Sequence, residues 1–278
     1  MNIGIVGQGF VGNAVFSKFK DYYNVLTHDL KAAKCNSDIP QITTKCETIF
    51  VCLPTPMDLD GRCNVSIVES VLTDIDLLAD NLEVKRTIVI KSTIPPGATD
   101  KWNHKYDSLN IVFNPEFLTE RNAVDDYENQ SRIILGGPRP TTTEVKTIFS
   151  KVFPNAHIIK TDSTHAEMVK YLTNSFLATK VSFANEMYQI CEGLDVDYDK
   201  VIEYATQDER LGTSHWNVPG PDGDFGYGGH CFPKDVKALM VVAEDMDIIP
   251  LMLAATDVKN NEVRKNRDWE QMKGRAVT

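Results

Sequence analysis

The stretch "FGYGGHCFPKD" (225–235) sets Cys231 behind Gly226, Gly228 and Gly229 and ahead of Pro233, Lys234 and Asp235. Proline suits the first turn of a helix, so Cys231 is expected at a helix N-terminus. The dipole there favours a thiolate. Asp235 falls one turn further on, and the glycines are read as clearance that lets a substrate reach the sulfur. A cysteine that merely packs as a small apolar residue would leave those glycines unexplained.

Two further patterns point to a cofactor and to charge stabilisation. "GQGFVG" (7–12) is a G-x-G-x-x-G in which Gly7 permits a tight turn, Gly9 a close approach of backbone to a pyrophosphate, and Gly12 close helix–strand packing. Phe10 and Val11 then open a helix whose N–H groups face the phosphates. Asp29 ends the next strand-like run and suits a ribose diol, which favours NAD over NADP. Lys170 and Asn174, four residues apart in a helical pattern, share a face.

These groups must be positioned by an alternating architecture. Strand-like runs at 2–7, 24–29, 48–53, 87–92, 110–114, 132–137 and 157–160 are separated by helical patterns such as 66–80 and 141–152. Their apolar character lacks strict alternation, as expected of strands covered on both faces. The fold class expected is α/β: a Rossmann-like doubly wound parallel sheet (1–160) followed by an all-helical domain (161–278). The loops "LPTP" (53–56), "KSTIPPG" (91–97) and "NPEFLTE" (114–120) fall at carboxyl ends of strands, where such sheets bind ligands.

From Thr161 the pattern turns helical. Thr164 and Glu167 have capping-box spacing and Gly193 is a plausible stop, giving a helix of about 28 residues, ~42 Å long. That length predicts packing against a second copy of the chain. A shorter helix over about 197–206, a Gly/Pro loop over 211–230 and helical segments from Pro233 toward Met272 follow. The polar stretch 31–47 shows no confident element.

Composition narrows the function classes. A net charge of −10 and a hydrophobic content of 42% describe an ordinary globular chain and argue against nucleic acid or anionic membrane as the main partner. The run starting at Asn2 is expected to leave no room for a signal peptide, and no apolar stretch approaches the ~20 residues of a membrane span. The six cysteines form no Cys-x-x-Cys pair and no zinc-like cluster. A reduced, cytoplasmic, metal-free protein is expected.

The motifs then match a family. "GQGFVG", "VCLPTPMDLDG", "KSTIPPG", "NPEFLTE", "AEMVKYLTNSFLATKVSFANE", "DERLG", "VPGPDGDFGYGGHCFPKD" and the region of "KNNEV" run in family order over nearly the whole chain. On these residues the chain resembles the UDP-glucose/GDP-mannose dehydrogenase family. The resemblance implies an NAD-dependent, four-electron oxidation of a nucleotide-sugar CH2OH to a carboxylate, with UDP-glucose to UDP-glucuronate first among the candidates, in the service of polysaccharide biosynthesis. It implies Cys231 as the nucleophile that carries the sugar as thiohemiacetal and thioester, and Lys170 and Asn174 as oxyanion stabilisers. Asp235 and Thr93 would order the hydrolytic water, and Glu120 would assist proton transfer.

The same resemblance implies substrate contacts at Glu116, Phe117, Leu118, Arg121, Lys170, Asn174, Gly228 and Gly229, and at Arg210 reaching a partner subunit. It implies NAD contacts at Asp29, Lys34, Thr55, Thr93, Glu120 and Lys234 beside the glycine loop. A homodimer built on the 164–192 helix is expected. The chain is expected to be a short form without the family's C-terminal nucleotide-gripping domain. Two other readings are a two-electron β-hydroxyacid dehydrogenase, which needs no thiol, and a non-catalytic NAD- or nucleotide-sugar-binding remnant.

Overall fold

A computed structural model describes residues 1–119 and 121–278. It divides into two compact units, one of residues 1–55 and 65–170, the other of 56–64 and 171–278. In chain order the elements are β1 (Asn2–Val6), α1 (Phe10–Phe19), β2 (Asn24–His28), α2 (Ile39–Lys45), β3 (Thr48–Val51), α3 (Ser66–Asn81), β4 (Arg86–Ile90), α4 (Ala98–Lys105) and β5 (Leu109–Phe113). Then come α5 (Ala123–Glu128), β6 (Arg132–Gly136), α6 (Thr141–Val152), β7 (His157–Thr161), α7 (Ser163–Gly193), α8 (Tyr198–Ala205), α9 (Phe232–Glu244) and α10 (Leu251–Val263).

The first unit is built on one sheet of order β2-β1-β3-β4-β5-β6-β7, parallel except between β5 and β6. Its central strands explain the unbroken apolar runs. Ile49, Val51, Ile88, Ile90, Ile111 and Phe113 face a core with Ile42 of α2, Leu72 and Ile75 of α3 and Trp102 of α4. Phe50, Val89 and Val112, one residue out of phase, face the opposite core with Val15 and Phe19 of α1, Tyr127 of α5 and Phe149 of α6. Period-two alternation is present, but both faces are apolar, so it is invisible as a polar/apolar pattern. The rings of Phe19, Phe50 and Phe149 pack edge-on at centroid distances of 5.1–5.9 Å, which seats α1 on the sheet below the glycine loop.

The stretch 31–47, where the sequence shows no confident element, contains a 3-10 turn (Ala32–Lys34) and α2. Asp38 caps α2 by accepting the Gln41 N–H at 2.8 Å, and a proline stands in its first turn. The capping box expected at Thr164 does not form. Asp162 accepts the His165 N–H at 2.9 Å, and Glu167 instead takes the N–H groups of Gly97 and Thr99 at the start of α4. A buried carboxylate on the N-terminus of another helix uses the same orphan donors that a cap would.

The second unit packs α7 from Tyr171 onward with α8, α9 and α10. Ala178, Val181, Val236, Met240 and Leu253 form one cluster with Tyr227 and Phe232, and Ser182 donates to the Thr256 carbonyl of α10 at 2.8 Å. A second cluster gathers Ala184, Cys191, Tyr198, Trp216 and Val218. The segment 56–64, which leaves the chain between β3 and α3, belongs here. Met57 N–H donates to Ala276 O at 2.8 Å, Thr278 N–H to Met57 O at 3.0 Å, and Arg62 forms a two-pronged pair with Asp245, the C-cap of α9, at 2.6 and 2.7 Å. Among the described residues no helix is long and apolar enough to cross a membrane.

Candidate active site

In the first unit the dinucleotide fingerprint follows β1 and opens α1, with Gly9 at the N-cap and Phe10 as the first helical residue. Gly7 adopts φ +93°, and a Cβ on it would stand 2.4 Å from Cys52 O. A Cβ on Gly12 would stand 1.8 Å from Gly7 O, whereas one on Gly9 would meet nothing within 4 Å. The turn therefore closes on Cys52 at Gly7 and on itself at Gly12, and leaves open space at Gly9, where the sequence pattern expects a pyrophosphate. Val11 follows in the first turn of α1. The Gln8 side-chain nitrogen is buried with no protein partner among the described residues, a donor left over for a bound group.

Asp29 and Lys34 meet this loop directly. The Asp29 carboxylate accepts Gln8 N–H at 2.7 Å and Lys31 N–H at 2.8 Å, and Lys34 Nζ donates to Gln8 O at 2.7 Å. Burial works to raise the Asp29 pKa, but the two N–H donors and the charges of Lys34 and Lys31 outweigh it and hold the carboxyl below its ordinary range. The residues fit a ribose diol held by an ionised acid, as an NAD site requires.

The loops after β3, β4 and β5 are laced together. Thr55 Oγ1 donates to Thr93 O at 2.7 Å, and Ser92 Oγ donates to Leu53 O at 2.6 Å while accepting Leu53 N–H at 3.0 Å. Glu116 and Lys170 form a buried pair: Lys170 Nζ lies 3.0 Å from Glu116 Oε1 and 2.6 Å from its carbonyl oxygen. Burial would raise the Glu116 pKa, but Lys170, the Leu118 N–H at 2.8 Å and Lys91 more than reverse it. The Phe117 ring stacks under Lys170 and Arg132 at 5.5 and 4.5 Å. Arg121 stands apart from this pair, lining a cleft of about 200 Å³ with Phe10 and Asn13 of α1. Glu120 lies outside the described residues.

Lys91, which the sequence reading passed over, is buried beside these groups with its Nζ on Asn114 Oδ1 at 2.8 Å. Burial lowers its pKa to about 8, against the opposing pull of Cys52 and Glu116 and with help from Lys170.

In the second unit Cys231 is the N-cap residue of α9, with proline in the first turn, as its sequence setting predicts. Asp235 N–H donates to Cys231 O at 3.0 Å. Asn174 on α7, one turn beyond Lys170, donates through Nδ2 to Asp235 Oδ2 at 2.6 Å, and Lys234 Nζ is paired with Asp235 Oδ1. Burial pulls the Lys234 pKa down, but the Asp235 carboxylate and the thiols of Cys63 and Cys231 push it up, and the net shift is upward. Asn174, Lys234, Asp235 and Cys231 thus form one cluster, to which the 56–64 segment adds Cys63. Arg210 is elsewhere, on an exposed 3-10 turn and paired with Asp208.

The glycines before Cys231 correct an expectation. A Cβ on Gly226 would lie 2.3 Å from Asn260 Oδ1, and one on Gly228 2.4 Å from both Arg264 Nη2 and Asp268 Oδ1. Only Gly229, at φ +71°, has open space in that direction. Two of the three glycines therefore make room for the protein's own side chains. Asn260, Arg264 and Asp268 were not singled out from sequence; their four-residue spacing would suit one helical face, but α10 ends at Val263, so Arg264 is its C-cap and Asp268 opens a separate 3-10 turn.

Comparison with known proteins was consistent over both units. The model of the UDP-glucose/GDP-mannose dehydrogenase family's NAD binding domain matches residues 20–156, and that of its central domain residues 164–262. A UDP-glucose 6-dehydrogenase of Rickettsia bellii is 35% identical over 222 residues, covering 78% of this chain and 49% of the relative. One of Haloferax volcanii is 30% identical over 312 residues, covering 96% of this chain and 71% of the relative. The solved structure of a UDP-glucose dehydrogenase from Pyrobaculum islandicum superposes with a TM-score of 0.84 at 24% identity, over 94% of this chain and 68% of that one. The chain spans about half the length of several curated relatives it matches.

Proposed function

The chain belongs to the UDP-glucose/GDP-mannose dehydrogenase family, and on that premise we propose that it oxidises the CH2OH of a nucleotide sugar to a carboxylate, UDP-glucose to UDP-glucuronate being the first candidate. Bound NAD supplies a hydride acceptor for each of the two oxidations. The balance is one CH2OH, two NAD⁺ and one water giving one carboxylate, two NADH and three protons.

Cys231 is the observation that carries the reading: a thiol at the mouth of α9, next to a buried Lys–Asp–Asn cluster. The helix N-terminus favours the anionic sulfur. That sulfur adds to the aldehyde carbon made in the first oxidation, and the thiohemiacetal oxygen takes up a proton. Loss of hydride from that carbon and of the hydroxyl proton gives a thioester, which water cleaves to the acid and the free thiol. Asn174 and Lys170 are assigned to the developing oxyanion. Asp235 is the acceptor for the hydrolytic water, with Thr93. Glu116, Phe117, Leu118, Arg121 and Gly229 are assigned to the substrate, and Lys34, Thr55, Lys234 and the loop of Gly7, Gly9, Phe10, Val11 and Gly12 to NAD. Glu120 keeps its assignment to proton transfer and NAD on the family pattern alone.

A cytoplasmic homodimer is part of the same reading. Leu172 and Phe176 of α7 are 63% and 64% exposed, and Phe183 and Ile190 extend the stripe at seven-residue steps. Arg210, exposed and off the cluster, is assigned to the partner's site. The test is NADH release counted per sugar consumed across a panel of nucleotide sugars. Two NADH per sugar, lost in Cys231→Ala, is expected. One NADH per substrate from a protein indifferent to that substitution would replace the reading with a two-electron dehydrogenase.

A further inference from the structure

The loop leading to Cys231 has no regular structure, yet the amides of Gly226, Tyr227 and Gly229 are each taken by a side chain. Gly226 N–H donates to Asn185 Oδ1 at 3.1 Å. Tyr227 N–H donates to Asn260 Oδ1 at 2.7 Å, and Asn260 Nδ2 donates back to Tyr227 O at 3.0 Å. Gly229 N–H is shared by both oxygens of the Asp268 carboxylate, at 3.1 Å each. Behind them lies Arg264, its side chain 1% exposed. Its Nε donates to Asn266 O at 2.8 Å and its Nη1 to Asp222 Oδ2 at 2.7 Å, while the carboxylates of Asp224 and Asp268 stand at 3.6 Å.

A guanidinium this deeply buried requires carboxylates around it. Its rigid planar fork converts that requirement into geometry, because Asp222 within the loop and Asp268, which holds the Gly229 N–H near the loop's end, are both referred to one guanidinium. Gly228 completes the fit, since any side chain there would occupy the space of Arg264 Nη2 and Asp268 Oδ1.

We propose that Arg264 and Asp268 are positioning residues for the Cys231 thiol. Asp268, oriented by Arg264, fixes the Gly229 peptide, and that peptide sets the direction from which His230 and Cys231 enter α9. The pair acts through the backbone, and the proposal rests on reading Cys231 as the nucleophile. A reacting atom displaced by ~1 Å costs up to about 100-fold in rate.

The test combines turnover with thiol labelling in the full chain. Asp268→Ala should lower kcat about 10- to 100-fold, leave the KM for NAD unchanged, and slow iodoacetamide alkylation of Cys231 relative to Cys35, a thiol of the first unit. Asp268→Asn keeps an oxygen for the Gly229 N–H and should recover most of both readouts. If Asp268→Ala does not fold, Asp268→Glu decides, because it keeps the charge beside Arg264 but moves the acceptor by one methylene. A wild-type kcat with an unchanged Cys231-to-Cys35 labelling ratio in the deciding variant overturns the proposal. Full activity in Cys231→Ala would instead overturn the nucleophile reading, and the labelling ratio, measured without turnover, separates the two failures.

Discussion

In the loop 7–12 the atoms that forbid a side chain are backbone atoms, the carbonyl oxygens of Gly7 and Cys52. In the loop 226–229 they are the side chains of Asn260, Arg264 and Asp268. Each loop keeps one glycine facing open space, Gly9 in the first and Gly229 in the second. The buried cations near the two loops differ in a parallel way. Lys91 faces the neutral amide of Asn114 and is pushed down to about 8, while Lys234 faces the Asp235 carboxylate and is shifted up. A turn closed by backbone cannot yield, and its tolerance is set by sterics alone. A loop closed by side chains can yield, but only by disturbing the hydrogen bonds that aim it.

The largest effect should fall on the rigid turn. Gly12→Ala drives a methyl into the Gly7 carbonyl, and about 3 kcal/mol of stability or more should be lost together with NAD binding. Urea unfolding and calorimetric titration measure both, and a well-folded, NAD-binding variant would show that the turn yields after all.

Next comes the uncompensated cation. The folded pKa of Lys91, about 8, lies below its unfolded value. Between those values the unfolded chain binds more protons, so stability rises as pH rises through that window, and below pH 8 a constant cost of about 3 kcal/mol applies. Subtracting the profile of Lys91→Met from that of the parent cancels the other titrating groups. The difference should climb from pH 8 to about 10.5. A flat difference would mean that Asn114 and the nearby Glu116 compensate the charge as fully as Asp235 does for Lys234.

Gly228→Ala should be milder for the fold and specific for the chemistry. Turnover should fall about 10- to 100-fold as Arg264 and Asp268 shift, with NAD affinity unaltered. Loss of NAD binding in this variant would erase the distinction between the loops. Smallest in stability is Gly9→Ala, within about 0.5 kcal/mol of the parent, because its methyl meets only open space. Its effect should appear as weaker NAD binding alone, and undiminished affinity would place the pyrophosphate elsewhere.

Much of this was legible in the sequence, for identifiable reasons. The seven strands are found within a residue or two because β-branched runs between turn residues have few other uses. The tight turn at Gly7 and Gly12 is legible because the G-x-G-x-x-G spacing after a strand encodes it locally, Gly12 being closed by Gly7 O five residues away, although the carbonyl that closes Gly7, Cys52 O, is distant in sequence. The Cys231 loop was misread at Gly226 and Gly228 because the obstacles come from residues more than thirty positions away. Glu167 was assigned to its own helix because capping-box spacing says nothing of a second helix end within reach. Lys91 was passed over because a lone lysine in a loop reads as solvated until burial is known. The helix α2 within 31–47 was missed for its brevity, although Asp38 and Pro40 mark its start.

The 56–64 excursion bears on the order in which the chain assembles. Its clasp to α9 joins residues 183 positions apart, Arg62 and Asp245, and its backbone pairs with residues 276 and 278. Both charged side chains are half exposed, so the ion pair itself adds little, and the clasp must be held by the backbone pairing around it. At ~5–20 residues per second, synthesis delivers the partner strand tens of seconds to about ten seconds after residue 62. During that interval the segment hangs from an already assembling sheet without its counterpart. In refolding of the complete chain that delay is gone, but the 183-residue separation remains, so docking of 56–64 should follow the local contacts of the sheet, with Cys63 open to labelling until it occurs.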